Sequence, residues 1–186
     1  MLLCVGRITA RKGLAVFARD ILPAIVERRP DARLLVIGDE PVGALQHRSG
    51  EAARVQEALS AAGLVDRTLF LRDADDETLD AAYFAADALV FPVQDRPGDH
   101  EGFGMVAVEA AAHGLPTIAF AAGGVSDAVR DGVSGRLVPP GDNAAFAAAV
   151  LDTLDQPPDP KGARGFAEQF AWALFAVKLR QLASDA

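Results

Sequence analysis

The sequence has few residues that form disulfides or bind metal ions, and it has no long apolar run. Its single cysteine, Cys4, excludes a disulfide framework, and its place in the apolar run Leu2–Val5 predicts a core position. The three histidines lack the spacing of metal ligands, so we expect no zinc site. No apolar run approaches the roughly 18 residues of a membrane span, and the N-terminus does not resemble a signal peptide. These absences predict a cytoplasmic protein.

Basic residues are outnumbered by acidic ones. The 18 lysines and arginines against 26 aspartates and glutamates give a formal net charge of −8. This balance argues against non-specific binding to nucleic acid. Any phosphate ligand must therefore be held by local basic groups that act against the overall field.

Short apolar runs alternate with longer amphipathic segments, which is typical of a parallel sheet with helices on both faces. We predict six strands, at Leu2–Val5, Arg33–Ile37, Thr68–Leu71, Ala88–Phe91, Thr117–Phe120 and Gly135–Val138. We predict helices that begin near Gly13, Gly50, Asp76, Gly104, Gly124 and Asn143. The predicted fold is a single α/β domain, Rossmann-like and doubly wound.

The C-terminal region departs from this alternation. The segment "DQPPDPKG" follows Leu154 and interrupts the pattern with three prolines. Apolar residues at helical spacing then predict one final helix, roughly Ala163–Ala183. The predicted domain is 1–186, and its terminal helix spans 162–186. This helix either packs on the rest of the domain or reaches toward a domain that the chain does not contain.

In a doubly wound sheet of order 3-2-1-4-5-6, the loops after strands one and four face each other across the ligand. The loop after strand one, Gly6–Gly13, carries Arg7, Arg11 and Lys12. Such cations can neutralise a diphosphate, although each alone could be an ordinary surface charge. The loop after strand four ends in "EGFG", where glycines admit a ligand close to the backbone and a helix N-terminus offers free N–H groups. Together the two loops predict a pyrophosphate site.

Two glutamates flank the start of the helix that follows "EGFG". Glu109 lies about 8 Å into this otherwise apolar helix, where a buried carboxylate needs a specific partner. The vicinal hydroxyls of a ribose are one such partner, and an arginine in a structural ion pair is the alternative. Glu101 precedes the helix and could accept hydrogen bonds from a sugar beyond the diphosphate.

The segments "VGRITARKG", "VIGDEP", "ADALVFP", "EGFGMVAVEAAAHGLPTIA", "GGVSDAVRDGVSGRLVPPGD" and "FAWALFAVKL" resemble, in order, the C-terminal half of retaining family-4 glycosyltransferases of the GT-B fold. The resemblance covers essentially the whole chain. Its strongest element is the pair of glutamates with seven residues between them, Glu101 and Glu109, followed by "HGLP" and "GG".

The resemblance implies a domain that binds a nucleotide-diphosphate sugar, with UDP, GDP and ADP all open as the nucleotide. It implies that Arg7 and Lys12 hold the diphosphate and that Glu109 holds the ribose. Glu101 and the amides of Gly102–Val106 would hold the sugar, and the base would rest near Arg72 and Asp73. The implied binding residues are Gly6, Arg7, Lys12, Arg72, Asp73, Glu101, Gly102, Phe103, Gly104, Met105, Val106 and Glu109.

By the same resemblance, the reaction is transfer of the sugar to an acceptor hydroxyl with retention of configuration. Glu101, Arg7 and Lys12 would be the catalytic residues, and neither a metal nor another cofactor would be needed. The N-terminal domain that binds the acceptor is missing from the chain, so we expect the isolated chain to be inactive. We expect the longer protein to be cytoplasmic, or peripheral at the inner face of the membrane through that missing domain.

The sequence departs from the family at two places. The segment Val93–His100 ("VQDRPGDH") lengthens the link between "FP" and "EGFG", and Asp127 stands where the family often has glutamate. The longer link lies at the mouth of the predicted crevice, so it could contact the acceptor or the missing domain. The alternative is a solvated surface insertion.

Three functions are alternatives to a glycosyltransferase. A non-catalytic nucleotide-sugar-binding module is possible because half of the cleft is absent. A nucleotide-sugar epimerase would need further acid and base groups, which the sequence does not offer. A nicotinamide dehydrogenase is disfavoured because no G-x-G-x-x-G follows the first strand.

The phosphate assignment predicts that replacing Arg7 and Lys12 together by alanine severely weakens the binding of a nucleoside diphosphate. Charge-assisted hydrogen bonds of this kind contribute about 1.5–3 kcal/mol each. Calorimetric titration with UDP and GDP measures the loss. Equal affinity of the double variant and the parent would show that the assignment is wrong.

Overall fold

A computed structural model describes residues 1–41 and 50–184, and its centre is a six-stranded parallel sheet. The strand order is β3-β2-β1-β4-β5-β6. The strands are β1 (Leu2–Val5), β2 (Leu34–Ile37), β3 (Thr68–Leu71), β4 (Ala88–Phe91), β5 (Thr117–Phe120) and β6 (Gly135–Val138). The predicted fold, strands and strand order are confirmed, except that β2 begins one residue later than predicted.

The helices also begin at the predicted places. The first is continuous and changes its winding, from α1 (Leu14–Val16) through a π-helical turn (Phe17–Ile21) to α2 (Leu22–Arg28). The others in the described ranges are α3 (Glu51–Ala61), α4 (Asp76–Ala85), α5 (Met105–His113), α6 (Val125–Ala128), α7 (Asn143–Asp155), α8 (Pro160–Ala167) and α9 (Trp172–Ser184). None of the described helices is long and apolar enough to cross a membrane.

Alternate residues of the central strands enter two separate apolar layers, one on each face of the sheet. In β1, Leu2 and Cys4 join the larger layer, whereas Leu3 and Val5 join the smaller one with Tyr83. This follows from the period of two in a strand, and it explains why the central strands are apolar throughout. Burial raises the pKa of the Cys4 thiol to about 12, so this cysteine stays protonated as a core residue, as predicted.

The prediction of a single C-terminal helix is wrong. The chain forms two helices, α8 and α9, joined by a 3-10 turn at Glu168–Phe170 and broken at Ala171, whose ψ of 136° is not helical. Ala163 and Phe166 of α8 pack against Ala111 of α5, whereas large apolar side chains of α9 are exposed, with Trp172 at 77%. Residues 185–186, which the predicted terminal segment (162–186) included, lie outside the described ranges.

The loops after β1 and β4 contact each other through backbone atoms. Gly13 has a φ of +71°, and a Cβ built on it would lie 1.9 Å from the carbonyl oxygen of Pro92. The amide of Gln94 donates to the carbonyl of Arg11 at 2.8 Å. No side chain fits between the two loops at Gly13, so the close approach depends on glycine.

This close approach predicts different outcomes for alanine at two glycines of similar φ. Gly132 has a φ of +73°, but a Cβ there would meet nothing within 4 Å. We expect Gly132→Ala to cost about 1–2 kcal/mol for the left-handed backbone alone. Gly13→Ala should cost about 1–3 kcal/mol more because Pro92 must move. Urea denaturation measures both losses, and equal losses would contradict a tight contact between the two loops.

Candidate functional site

The side chain of Lys12 extends across the end of β1 toward β4. A Cβ on Gly6 would lie 3.7 Å from Cε of Lys12 and 3.9 Å from its Nζ, so the lysine passes directly over this glycine. Its ammonium also lies 4.6 Å from the centre of the Phe91 ring, a cation–π contact with the last residue of β4. Lys12 is thus positioned by both strands that border the predicted crevice.

Glu101 is the counter-charge of the cations in this crevice. Its Oε2 accepts a hydrogen bond from Lys12 Nζ at 2.9 Å and another from Arg11 Nη1. The Nε of Arg11 lies 3.0 Å from Oδ1 of Asp99. The side chains of Arg11, Lys12 and Glu101 are only 11–15% exposed, so these charges are partly desolvated. Charges in such surroundings interact more strongly than at an open surface.

The electrostatic balance at Glu101 favours its charged form. Burial of the carboxylate acts to raise its pKa, but the hydrogen bond and charge of Lys12, together with Arg11, outweigh it and lower the pKa. The group is therefore a carboxylate at neutral pH. Its ion pairs join the loop after β1 to the loop after β4.

Two glycines after β5 contact the backbone of Glu101 and Gly102 closely. The amide of Gly124 donates to the carbonyl of Glu101 at 2.9 Å. A Cβ on Gly124 would lie 2.1 Å from the carbonyl oxygen of Gly102, and one on Gly123 would lie 2.5 Å from that of Glu101. The "GG" pair therefore lets three loops meet at Glu101.

The glycine-rich segment "EGFG" shapes the start of α5. Gly104 precedes the helix with a φ of +96°, and a Cβ there would lie 2.8 Å from the Phe91 ring. No side chain caps this helix start. Phe103 and Val106 are half-buried, whereas Gly102 and Met105 are exposed beside Glu101. The predicted sugar-holding amides are thus at the crevice, but their role stays a prediction.

Three other predicted binding residues, Arg7, Arg72 and Asp73, are exposed. Arg7 is exposed and forms no ion pair within residues 1–41 and 50–184. Arg72 and Asp73 are exposed after the edge strand β3, and Nε of Arg72 lies 3.9 Å from Oδ1 of Asp39. The carbonyl of Asp39 accepts the Ile8 amide, so the loop after β2 contacts the first loop.

Glu109 has a protein partner that the sequence did not predict. Its Oε2 accepts a hydrogen bond from the hydroxyl of Tyr83 at 2.8 Å. No arginine takes this place among the contacts of the described residues, so the structural ion pair considered as an alternative is absent there. The ribose contact stays a prediction.

Sequence reasoning also missed the roles of Arg11 and Asp99. Arg11 was one of three cations in the first loop, and nothing in the pattern showed that it would meet Glu101 while Arg7 stays exposed. Asp99 lies in the predicted insertion Val93–His100, where His100 Nδ1 also lies 3.1 Å from Oδ1 of Asp95. The insertion therefore contacts the site through Arg11, which the alternative of a solvated surface insertion did not predict.

The sheet is doubly wound, and partly buried cations lie between β1 and β4, at the switch point where the winding reverses. This arrangement defines a Rossmann-like ligand-binding domain. A family model described as glycosyl transferases group 1 matches residues 1–156. The chain therefore belongs to the group 1 glycosyl transferases.

Curated relatives agree with this family. The chain is 37% identical to a D-inositol 3-phosphate glycosyltransferase from Mycolicibacterium smegmatis, over 91% of the chain and 36% of that protein. It is 32% identical to a GDP-mannose-dependent alpha-(1-6)-phosphatidylinositol monomannoside mannosyltransferase from the same organism, over 84% of the chain and 39% of that protein. The chain thus spans little more than a third of these relatives.

Solved structures of similar proteins have the same fold. A sucrose-phosphate synthase from Thermosynechococcus elongatus has a TM-score of 0.79 and 32% identity, over 99% of the chain and 45% of that protein. The C-terminal domain of a group 1 glycosyl transferase from Francisella tularensis has a TM-score of 0.67 and 25% identity, over 96% of the chain and 85% of that structure. The chain therefore has the fold of a C-terminal GT-B domain of this family.

The lowered pKa of Glu101 makes its contribution to stability depend on pH. The carboxylate contributes fully above its ordinary pKa of 4.5, and the contribution is lost as the pH falls through the lowered value of the folded state. We expect Glu101→Gln to reduce the free energy of unfolding at pH 7 by about 1–3 kcal/mol. The difference from the parent should shrink below the ordinary pKa. Urea denaturation across this pH range measures it.

Glu57→Gln is the matched control, because Glu57 is an exposed glutamate of α3 outside this ion-pair network. Its effect should be small at every pH. A Glu101→Gln difference that is the same at acid and neutral pH would contradict the role of the carboxylate charge.

Proposed function

We propose that the chain is the donor-binding domain of a retaining, family-4 glycosyltransferase that uses a nucleotide-diphosphate sugar. The observation that carries the proposal is the pair of partly buried cations, Arg11 and Lys12, at the switch point of the sheet. Membership of the glycosyl transferases group 1 supports it, as does the relative named for its dependence on GDP-mannose.

The diphosphate would bind by replacing Glu101 as the counter-charge of Lys12 and Arg11. A diphosphate carries more charge than a carboxylate, so it competes well for these donors. Arg7 is exposed and unpaired in the described residues, and it would contact the phosphates from the solvent side. The uncapped start of α5 adds N–H groups and the positive end of the helix dipole.

Glu101 would then be free to hold the sugar. Released from the two cations, its carboxylate can accept hydrogen bonds from sugar hydroxyls beside the amides of Gly102–Val106. Lys12 and Arg7 would stabilise the charge that develops on the departing diphosphate, which is the form of assistance that often dominates catalysis. Glu109 would hold the ribose, and the base would rest near Arg72 and Asp73.

The remainder of a longer protein would supply the acceptor site. The chain spans 36% of the D-inositol 3-phosphate glycosyltransferase, which leaves room for another domain. The exposed apolar side chains of α9 and the insertion Val93–His100 are the parts proposed to face it. We propose that the isolated chain binds the donor without appreciable turnover, needs no metal, and works in the cytoplasm or at the inner face of the membrane.

The exchange of counter-charges predicts that Glu101→Gln changes the preference between two ligands. The variant should bind the bare nucleoside diphosphate at least as tightly as the parent, because the competing carboxylate is gone. It should lose about 1–3 kcal/mol of the extra affinity that the sugar provides. Calorimetric titration of UDP, GDP and ADP and of their common sugars gives the ratio of the two dissociation constants for each variant.

Glu109→Ala should weaken both ligands alike, because it removes a ribose contact that both make. Glu57→Gln on α3 should change neither. Absence of any nucleoside diphosphate binding by the parent would reject the proposed function, and equal losses for both ligands in Glu101→Gln would reject the sugar contact.

A further inference from the structure

The hydroxyl of Tyr83 is buried and directed at one oxygen of Glu109. Tyr83 is 3% exposed, and its hydroxyl donates to Oε2 of Glu109 at 2.8 Å. Burial and the neighbouring carboxylate raise the pKa of Tyr83, so the phenol keeps its proton at neutral pH and acts as a donor. No protein group within residues 1–41 and 50–184 donates to Oε1 of Glu109. One carboxylate oxygen is therefore held, and the other has no protein donor among these residues.

A second contact between the same two helices holds the Tyr83 ring in place. The ring stacks on His113, with centroids 4.8 Å apart and planes at 23°. Nδ1 of His113 donates to the backbone oxygen of Glu109 at 2.7 Å, and Nε2 lies 2.6 Å from Oδ1 of Asp80. Asp80 and Tyr83 lie on α4, whereas Glu109 and His113 lie on α5. The helices are thus joined at the tyrosine hydroxyl, at the face of its ring that stacks on His113, and between His113 and Asp80.

The start of α5 is close to Lys12. The Phe91 ring at the end of β4 has its centre 4.6 Å from Lys12 Nζ, and a Cβ on Gly104, which precedes α5, would lie 2.8 Å from that ring. Glu109 lies four residues beyond Met105, the first residue of α5, which is roughly 6 Å along the helix. In a nucleotide the ribose is adjacent to the diphosphate. A ribose beside a diphosphate on Lys12 would therefore be within reach of this part of α5.

A neutral donor has a different effect from a charged one. An arginine on Glu109 would neutralise the carboxylate, whereas a tyrosine hydroxyl fixes one oxygen and leaves the negative charge. Hydrogen bonds to a charged acceptor are stronger than those between neutral groups. The free oxygen is thus well suited to accept from vicinal hydroxyls.

We propose that Tyr83 is a positioning residue for the donor's ribose: it holds one oxygen of the Glu109 carboxylate so that the other accepts the ribose hydroxyls. The inference rests on the proposed function and adds to it a residue on α4, outside the loops of the crevice.

The test is calorimetric titration of the chain and its Tyr83→Phe variant, which keeps the ring and its stacking on His113. The probes are UDP, GDP and ADP, their 2′,3′-dideoxy analogues, and inorganic pyrophosphate. Tyr83→Phe should weaken the tightest-binding nucleoside diphosphate about fivefold or more. It should leave the dideoxy analogue and pyrophosphate unchanged, and it should add little loss in a chain that already carries Glu109→Ala.

Thr153→Val is the control, because it removes another buried hydroxyl, which donates to the carbonyl of Ala149 at 2.8 Å in α7. It should leave all affinities at parental values. Unchanged nucleotide affinity in Tyr83→Phe, or an equal loss for pyrophosphate, would overturn the inference while the proposed function stands. Equal parental affinity for the ribose and dideoxy forms would overturn it without use of any variant. A parent that binds no nucleoside diphosphate would overturn both.

Discussion

The ion pairs of Glu101 with Lys12 and Arg11 connect the parts of the fold that form the candidate site. Each partner comes from a loop at the carboxyl edge of the sheet, and the loop after β5 holds the backbone of Glu101 from behind. Removing one member of such a desolvated cluster leaves its partner uncompensated, which costs more than the net contribution of the pair. The ion pairs therefore also depend on the glycines that allow these loops to approach each other.

The two glutamates around the start of α5 have different surroundings, and this difference suits different roles. Glu101 is held by two cations, so an anion with more charge can displace it from them. Glu109 is held by the neutral hydroxyl of Tyr83, which offers a phosphate no positive charge. One carboxylate is thus exchangeable and the other is fixed. This division agrees with the proposal that the two carboxylates contact a donor on either side of its diphosphate.

The sheet was predictable because its signals are local. Runs such as Leu2–Val5 and Ala88–Phe91 are apolar throughout, and their alternation with helical segments defines a doubly wound order. Glycines at loop ends marked the start of α1 and α5 because left-handed backbone favours glycine. The crevice between β1 and β4 followed from the strand order alone.

The contacts inside the crevice were not predictable, because they depend on side-chain directions that helix rotation and loop paths determine. The pattern offered three cations and could not rank Arg11 above Arg7 as the partner of Glu101. The Tyr83 hydroxyl meets Glu109 across two helices that are distant in sequence. The break at Ala171 was missed because the apolar spacing continues through it while the backbone does not.

A crystal structure of the chain with bound UDP or GDP tests the central claim most directly. The account predicts diphosphate oxygens within hydrogen-bond distance of Lys12 Nζ, with the Glu101 carboxylate moved off the ammonium. A diphosphate bound elsewhere, with the Lys12–Glu101 ion pair intact, would contradict it.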